Sequence, residues 1–225
     1  MNNFKVAVAE NKTNFFKYDI ILNNEIVRLR PLKIEDMSTF SNFHSDYAIW
    51  KYFAIKMRKE QDMEDYINDA VQQRSLGLRY HFVVEDIKTD KVVGSTAFGN
   101  FSPKDNRIEI GWSWIETLSQ GTGINKNAKF HLLNFAFDYL NMERVEFKTD
   151  VLNVRARAGL IKIGAMEEGV LRSHTLMPDN RRRDTVYYSV LKEEWYTKIR
   201  SNNFYNFSSD VVILIESSDS IYKTI

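Results

Sequence analysis

The sequence predicts a mixed α/β domain of the α+β type, built on a largely antiparallel sheet. Short segments of alternating apolar and polar residues recur along the chain, and four segments with helical periodicity separate them into groups. The strands come in groups of two, three, one and two, whereas a doubly wound parallel sheet needs a helix after each strand. We therefore expect a central sheet of about seven strands flanked by about four helices.

The first part of the domain is predicted to be a hairpin followed by two helices. Residues 18–22 and 25–30 alternate as strands on either side of an Asn-Asn turn. Helices are expected over residues 33–43 and 61–76, because apolar side chains in the second segment recur at helical spacing.

The central part is predicted to form three strands. Residues 81–85 and 92–98 flank a turn-rich segment, and residues 107–115 form a further strand. Alternation separates the side chains of that last strand into two faces. One face carries Ile108, Ile110, Trp112 and Trp114, and the other carries Glu109, Gly111 and Ser113.

The last part is predicted to alternate between helices and strands. A long amphipathic helix is expected over residues 124–140, and residues 144–149 form the next strand. Residues 153–163 form a helix with an asparagine at its N-cap. Strands at about residues 167–171 and 185–191 complete the domain.

Three parts of the chain differ in character. Residues 1–17 are polar and aromatic without a clear period, so we expect a loosely held N-terminal extension before the folded domain at 18–198. In the tail at 199–225, the Ser/Asn-rich residues 201–209 predict a linker, and the apolar run 211–215 predicts one more strand. Such a strand would add to an edge of the sheet or to a partner subunit in a homodimer.

Charge and composition narrow the classes of function. The chain has 225 residues with 31 basic and 30 acidic side chains, so no overall charge favours nucleic acid or a membrane surface. The absence of cysteine excludes disulfides, thiolate metal sites and a cysteine nucleophile, and it fits a cytoplasmic protein. No apolar run approaches the roughly 18 residues of a membrane span, and no secretory signal pattern is recognisable. His81, His131 and His174 lack metal-ligand spacing.

The most informative segment is the glycine-rich turn at residues 119–125, between the 107–115 strand and the long helix. Backbone N–H groups at the positive end of a helix bind phosphate without needing a lysine. A nucleotide-triphosphate P-loop is absent, and a dinucleotide G-x-G-x-x-G fingerprint fails at Lys126. Taken alone, the turn equally suits a helix start with no ligand.

A third phosphate motif fits the turn better. The pyrophosphate loop of acyl-coenzyme A transferases has Gln or Arg first, Gly fourth, and Gly or Ala sixth. Residues 120–124 match its first five positions, and Asn125 departs at the sixth.

Further motifs flank this loop in a fixed order, at residues 27–32, 93–94, 108–112, 153–165 and 184–189. With them the chain resembles the GCN5-related N-acetyltransferases (the GNAT superfamily), in the branch of RimJ/RimL-type ribosomal-protein acetyltransferases. The resemblance spans about residues 25–195.

The resemblance implies a sheet that opens after the 107–115 strand and holds the pantetheine arm of acetyl-coenzyme A (acetyl-CoA) in the gap. Backbone groups of two strand residues would pair with this arm, loop N–H groups would hold the pyrophosphate, and side chains of the following helix would add contacts. Asn153 suits a plain N-cap as well. The expected cofactor-binding residues are Trp114, Ile115, Gln120, Gly121, Thr122, Gly123, Ile124, Asn125, Asn153 and Arg157.

The implied reaction is the attack of a neutral amine on a thioester. Lysine amines have an ordinary pKa of about 10.4 and α-amino groups of about 8, so a base assists the reaction at neutral pH. Glu109 is the candidate base, because it shares a strand face with small Gly111 and Ser113, which leave room for a substrate. The alternative is a glutamate in a salt bridge or on a solvated strand face.

The sequence departs from the family where a proton donor is usual. Many members carry a Ser three residues, or a Tyr seven residues, after the asparagine, and here those positions are Ala156 and Leu160. Ser113, Ser173 and Tyr187 are candidates to substitute, and a water or the ammonium proton of the substrate would also serve.

Three functions follow, in descending order of support. The first is an acetyl-CoA-dependent N-acetyltransferase acting on a protein N-terminus or a small-molecule amine. The second is a non-catalytic member that binds coenzyme A or a partner protein, motivated by the replaced Ser and Tyr. The third is a nucleic-acid binder using residues 181–183, all arginine, against which the balanced charge argues.

Overall fold

The computed structural model describes residues 10–215, with side chains described through residue 211. The strands are β1 (Tyr18–Asn23), β2 (Val27–Pro31), β3 (Arg79–Asp86), β4 (Lys91–Ser102), β5 (Arg107–Ile115), β6 (Arg144–Asp150), β7 (Met166–Leu176), β8 (Arg182–Leu191) and β9 (Asp210–Ile215). They form one nine-stranded sheet in the order β7-β8-β6-β5-β4-β3-β2-β1-β9. Neighbouring strands are antiparallel except β5 and β6, which confirms the predicted fold class and adds strands to the expected number.

Seven α-helices accompany the sheet in the described residues. They are α1 (Met37–Phe40), α2 (Tyr47–Trp50), α3 (Glu60–Ser75), α4 (Ile124–Asp138), α5 (Val154–Lys162), α6 (Lys192–Glu194) and α7 (Arg200–Asn203). Short 3-10 segments lie at Lys12–Lys17, Ile34–Asp36, Ser41–Ser45 and Thr117–Ser119, and a π-helical turn lies at Trp195–Ile199. The helix expected at 33–43 is therefore broken, whereas the three longer helices lie where the periodicity predicts them. No helix of residues 10–215 is long and apolar enough to cross a bilayer.

Two apolar cores cover the opposite faces of the sheet. Phe82 and Val84 of β3 belong to the core beneath α4, whereas Val83 between them belongs to the core beneath α1, α2 and α3. This alternation is the period of two that a strand imposes on its side chains. An opening between two strands of this sheet would therefore be bordered by the α4-side core on one face and by the α3-side core on the other.

The sheet opens between its two parallel strands. β5 and β6 pair only over Arg107–Glu109 and Arg144–Glu146. Beyond these residues β5 continues along β4 as far as Ile115, while β6 continues along β8 as far as Asp150. The divergence expected from the family resemblance is present, and it begins at Glu109.

A β-bulge in β5 overturns part of the predicted face assignment. Trp112 has a positive φ of 50°, and the register against β4 shifts between Ser95 and Ala97. Because a bulge adds one residue to the strand, it reverses the alternation beyond it. Trp114 consequently lies in the α3-side core rather than beside Ile108, and Ser113 turns to the α4 side rather than the side of Glu109.

The expectation that residues 1–17 are loosely held is wrong from residue 12 onward. Lys12–Lys17 forms a 3-10 helix capped by Asn11, and its aromatic side chains enter the α4-side core. Phe15 is fully buried, stacks on Tyr80 and meets Phe98 edge to face. Two adjacent buried phenylalanines fit neither the period of a strand nor that of an amphipathic helix, so the sequence pattern could not predict that this segment is packed. Residues 1–9 lie outside the described chain.

The tail also packs onto the domain through residue 215. Phe204 is buried against Trp195 and Phe130, so the predicted linker at 201–209 carries a core anchor. The extra strand predicted at 211–215 is present as β9, and it pairs antiparallel with β1 at the edge of the sheet. The boundaries at 17/18 and 198/199 therefore do not coincide with a change in packing.

Candidate active site

The loop before α4 takes its shape from two glycines. Gly121 and Gly123 have φ values of 81° and 96°, which residues with a side chain rarely adopt. The hydroxyl of Thr122 donates to the Ser119 carbonyl at 2.7 Å, which closes the turn. The side chain of Asn127 donates to the Gly123 carbonyl at 3.1 Å and fixes the first turn of α4.

This geometry leaves a row of backbone donors open. The first backbone bond into α4 is from the Asn127 N–H to the Gly123 carbonyl at 3.0 Å. Across the described residues, no protein acceptor lies on the N–H groups of residues 121–125. These donors lie at the positive end of a 15-residue helix, and Gly121, Thr122, Gly123 and Asn125 are exposed to solvent. Free donors at a helix N-terminus are the geometry that suits an anion.

Side chains tie this loop to its neighbours. Gln120 donates to the Ile115 carbonyl at 2.8 Å, which joins the loop to the end of β5. The same glutamine accepts a hydrogen bond from Arg155 of α5, so a guanidinium lies at the loop. Arg157 lies elsewhere, since it donates to Tyr188, to the Val151 carbonyl and to Glu167. The structure thus brings Arg155, rather than the predicted Arg157, to the phosphate loop.

The strand edge beside the opening is only partly available. The Ile115 carbonyl is occupied by Gln120. The Trp114 carbonyl faces β4, because a Cβ placed on Gly94 would lie 2.2 Å from it. Neither of these two carbonyls is open to an extra strand, which restricts the predicted pairing to other backbone groups of this segment.

Asn153 acts as the N-cap of α5. Its side-chain oxygen accepts from the Ala156 N–H at 3.1 Å, so the predicted capping role is confirmed. Its contact with a cofactor stays a prediction. Leu160, where many family members carry a tyrosine, is buried in the α4-side core.

Glu109 is buried where β5 and β6 separate. One carboxylate oxygen, Oε2, accepts from Asn100 Nδ2 at 2.6 Å and from Lys148 Nζ at 2.6 Å. The other, Oε1, has no hydrogen-bond partner within the described chain, and it lies 2.9 Å from where a Cβ on Gly111 would be. The missing side chain of Gly111 therefore leaves space directly beside the free oxygen.

Lys148 is the cation paired with this carboxylate. Burial lowers the pKa of Lys148, but the hydrogen bond and charge of Glu109 outweigh burial and raise it. The ammonium also lies 5.2 Å from the ring centre of Tyr187. The lysine is thus firmly cationic and is the ion-pair partner of Glu109. The salt bridge considered from the sequence is present, and because Glu109 still presents one free oxygen, its role as a base stays a prediction.

A cavity of about 580 Å³ adjoins this pair. Its lining carries both signs of charge and comprises Asn100, Phe101, Arg107, Glu146, Lys148 and Tyr187. A larger cavity of about 750 Å³ lies between the N-terminal 3-10 helix and α3, and none of the predicted site residues line it. The smaller cavity is lined by Asn100 and Lys148, the two hydrogen-bond partners of Glu109.

A buried lysine that the sequence patterning missed lies on the α4 side of the opening. Lys129 Nζ is 2.6 Å from Ser113 Oγ and 3.4 Å from Thr96 Oγ1. Burial lowers the pKa of Lys129 to about 7. Because α4 is buried on nearly all its faces, its hydrophobic period could not separate this lysine from the core residues around it.

The remaining candidates are dispersed. Ser173 contacts Arg182 on the edge ribbon formed by β7 and β8, far along the sheet from β5. The arginine triplet is split, since Arg181 pairs with Asp150 and Arg183 donates to Thr185. Among the described residues, no group of three or more His, Asp or Glu is arranged to hold a metal ion.

Comparisons with known proteins agree with this geometry. The family model for the acetyltransferase (GNAT) domain matches residues 27–166. The uncharacterized N-acetyltransferase p20 of Bacillus licheniformis is 28% identical over 178 residues, which cover 77% of this chain and 97% of that protein. The ribosomal-protein-serine acetyltransferase of Escherichia coli (strain K12) is 22% identical over 145 residues, covering 64% of this chain and 78% of that protein. The structure of Mycobacterium smegmatis RimJ in complex with CoA-disulfide superposes with a TM-score of 0.67 at 22% identity, over 78% of this chain and 88% of that one.

Proposed function

Because the chain belongs to the GNAT family of N-acetyltransferases, we propose that it moves the acetyl group of acetyl-CoA to a primary amine by direct attack on the thioester. The acceptor amine is that of a protein N-terminus or of a small molecule. The observation that carries the proposal is the row of unoccupied backbone donors at residues 121–125, placed where two parallel strands diverge.

The residues present fit the cofactor. Open N–H groups at the start of α4 suit a pyrophosphate, and Arg155 adds a positive charge beside them. The opening between β5 and β6 leaves the edge of β5 that faces β6 without strand pairing beyond Glu109, and this edge can receive an extended arm. When bound, acetyl-CoA supplies an activated acetyl thioester. Gln120 orients the loop, and Asn153 is the proposed side-chain contact from α5.

Glu109 is the proposed general base. Its Oε1 is the only carboxylate oxygen of the residue left without a partner, and the space beside Gly111 admits an amine. Lys148 and Asn100 hold Oε2, so the carboxylate is fixed in one orientation. A proton leaving the amine is thus received at Oε1, either directly or through a water.

The proposed acceptor site is the 580 Å³ cavity beside Glu109. In its lining Glu146 pairs with Arg107 at 3.4 Å, and Lys148 pairs with Glu109 at 2.6 Å. An acceptor that presents an ammonium first and carbonyl or carboxylate oxygens after it would share these paired charges. A peptide N-terminus has this order of groups. The name of the Escherichia coli relative, a ribosomal-protein acetyltransferase, supports a protein acceptor.

The first test of this function measures thiol release. Acetyl-CoA and a panel of amines and peptide N-termini are mixed with the protein, and free thiol is followed over time. We expect Glu109→Gln to lower turnover at neutral pH by about 100-fold while coenzyme A affinity changes less than twofold. Glu193→Gln, at an exposed position of α6, is the matched control and should behave as the wild type.

The alternative function is a non-catalytic module that binds coenzyme A. The buried Leu160 at the position of the usual tyrosine favours it, since this side chain has no proton to give. Calorimetry separates the two functions, because both require coenzyme A binding and only the first gives thiol release. Absence of coenzyme A binding would remove both.

A further inference from the structure

Lys129 is a buried cation without a counter-ion. It is only 5% exposed, and no ion pair of the described residues includes it. Its ammonium contacts the hydroxyls of Ser113 and Thr96, and it lies 6.0 Å from the ring centre of Phe147. An ammonium removed from water without a carboxylate partner is costly, so its position needs a reason.

The ammonium lies on the α4 side of the sheet, at the level where β5 and β6 have separated. Ser113 belongs to β5 and Phe147 belongs to β6, and both lie beyond the last paired residues of the two strands. Lys129 therefore spans the gap from the α4 side, while Glu109 lies at the start of the same gap on the α3 side. The open amides begin the same helix, roughly 9 Å along its axis from Lys129.

We propose that Lys129 is a catalytic residue that donates its ammonium proton to the coenzyme A sulfur as the acetyl group leaves. This inference rests on the proposed function. The amine nitrogen bonds to the acetyl carbon, the carbon–sulfur bond breaks, and the sulfur keeps the electron pair. The Lys129 proton moves to that sulfur and gives the thiol, while the amine proton goes to Glu109. Solvent returns a proton to Lys129 when the products depart.

The assignment resolves the missing proton donor. Ala156 and Leu160 have no proton to give, and Ser173 lies on a distant ribbon. Tyr187 lies beside Lys148 at the proposed acceptor cavity, away from the α4 side. Ser113 donates its hydroxyl proton to the Gly111 carbonyl at 3.0 Å, which leaves its oxygen to accept from Lys129. Because burial lowers the pKa of Lys129 to about 7, the group gives up a proton readily near neutral pH.

The test follows the bound thiol itself. Coenzyme A is titrated with base on the protein, and its thiolate is detected by ultraviolet absorbance. A cation beside the sulfur should increase the thiolate fraction at a given pH at least tenfold over free coenzyme A. Lys129→Met should abolish that increase, whereas Lys91→Met, at an exposed position of β4, should retain it.

A second probe removes the sulfur rather than the lysine. Desulfo-coenzyme A should bind to wild-type protein at least tenfold more weakly than coenzyme A above pH 8, and the two should bind equally to Lys129→Met. Turnover of Lys129→Met should fall about 100-fold with little change in KM for acetyl-CoA. Equal thiolate fractions in wild type and Lys129→Met overturn the proposal and leave the transferase function standing. Failure of the wild type to bind coenzyme A removes the transferase function as well.

Discussion

Two buried ionisable side chains, Glu109 and Lys129, lie on opposite faces of β5 and differ in their partners. On the α3 side, Glu109 is paired with Lys148 and also accepts from Asn100. On the α4 side, the polar and aromatic contacts of the Lys129 ammonium within the described residues are two hydroxyls and one ring. The first charge is balanced within the chain, whereas the second is not.

The difference shows which protonation state the fold fixes and which it leaves open. The pKa of Lys148 is raised by Glu109, so this lysine stays protonated through neutral pH and balances the carboxylate within the chain. A lysine without a counter-charge in a dry site titrates near neutrality, and a bound anion would return its charge. The charge of Lys148 is therefore fixed by its partner within the chain, whereas the charge of Lys129 depends on pH and on what occupies the gap between β5 and β6.

The largest effect expected from this comparison is on stability at alkaline pH. Lys129 has a pKa of about 7 when folded and an ordinary value of about 10.4 when unfolded, so the unfolded chain binds more protons between these values. Stability from this group should therefore rise with pH over that window, by roughly 3–5 kcal/mol. Urea unfolding at several pH values measures it, as the difference between wild type and Lys129→Met.

Met is the matched replacement because it keeps the length of the side chain without the charge. Lys129→Met should be more stable than the wild type near pH 7, and the two should converge above pH 10. A difference that does not change with pH would show that the ammonium stays charged in the folded state and finds compensation elsewhere.

The next effect concerns the paired site. Lys148→Met leaves the buried Glu109 carboxylate without its cation, and we expect a loss of about 3 kcal/mol in the free energy of unfolding. Lys148→Arg keeps the charge and should lose much less. Equal losses in both variants would mean that packing rather than charge matters at this position.

Much of this arrangement could be predicted from the sequence. The open amides of residues 121–125, the buried Glu109 and the opening after β5 lie where motifs in order along the chain predict a site. The roles of the loop and of Glu109 in binding and catalysis stay predictions. Arg155 could have been chosen over Arg157 only with the side-chain contacts known, since the two are on one helical segment. Lys148 and Asn100 come from two strands that are distant in sequence, and only their tertiary contact makes them part of the site.

The faces of β5 show why alternation failed locally. A period of two holds from Ile108 to Gly111 and ends at Trp112, whose positive φ is unusual for a bulky residue. A bulge inserts one extra residue and so shifts the register by one position. When the bulged position is not a glycine, the sequence gives no dependable sign of it. Ser113 thus changed sides, and its contact with Lys129 could not be anticipated.

Gly111→Ala tests whether the free oxygen of Glu109 needs its space. The added Cβ would lie 2.9 Å from Oε1, so the carboxylate must move while Lys148 and Asn100 hold its other oxygen. We expect turnover to fall about tenfold, or roughly 1.4 kcal/mol in the barrier. Gly159→Ala is the control, because a Cβ there meets nothing within 4 Å and α5 gains a better helix former. Unchanged turnover in Gly111→Ala would place the amine elsewhere.

The smallest effect expected is that of Ser113→Ala on the α4 side. Removing the hydroxyl takes away the closest acceptor of the Lys129 ammonium, at 2.6 Å, while leaving the sheet intact. The charged lysine loses about 1 kcal/mol of stabilisation, so the pKa of Lys129 falls by somewhat less than one pH unit. The window in which stability rises with pH should then begin at a lower pH than in the wild type, as urea unfolding would show. In a Lys129→Met background the same change should leave that pH dependence unaltered. If it shifts the window there too, Ser113 acts on stability by a route that does not involve the lysine, and the contrast between the two faces of β5 is weaker than their contacts imply.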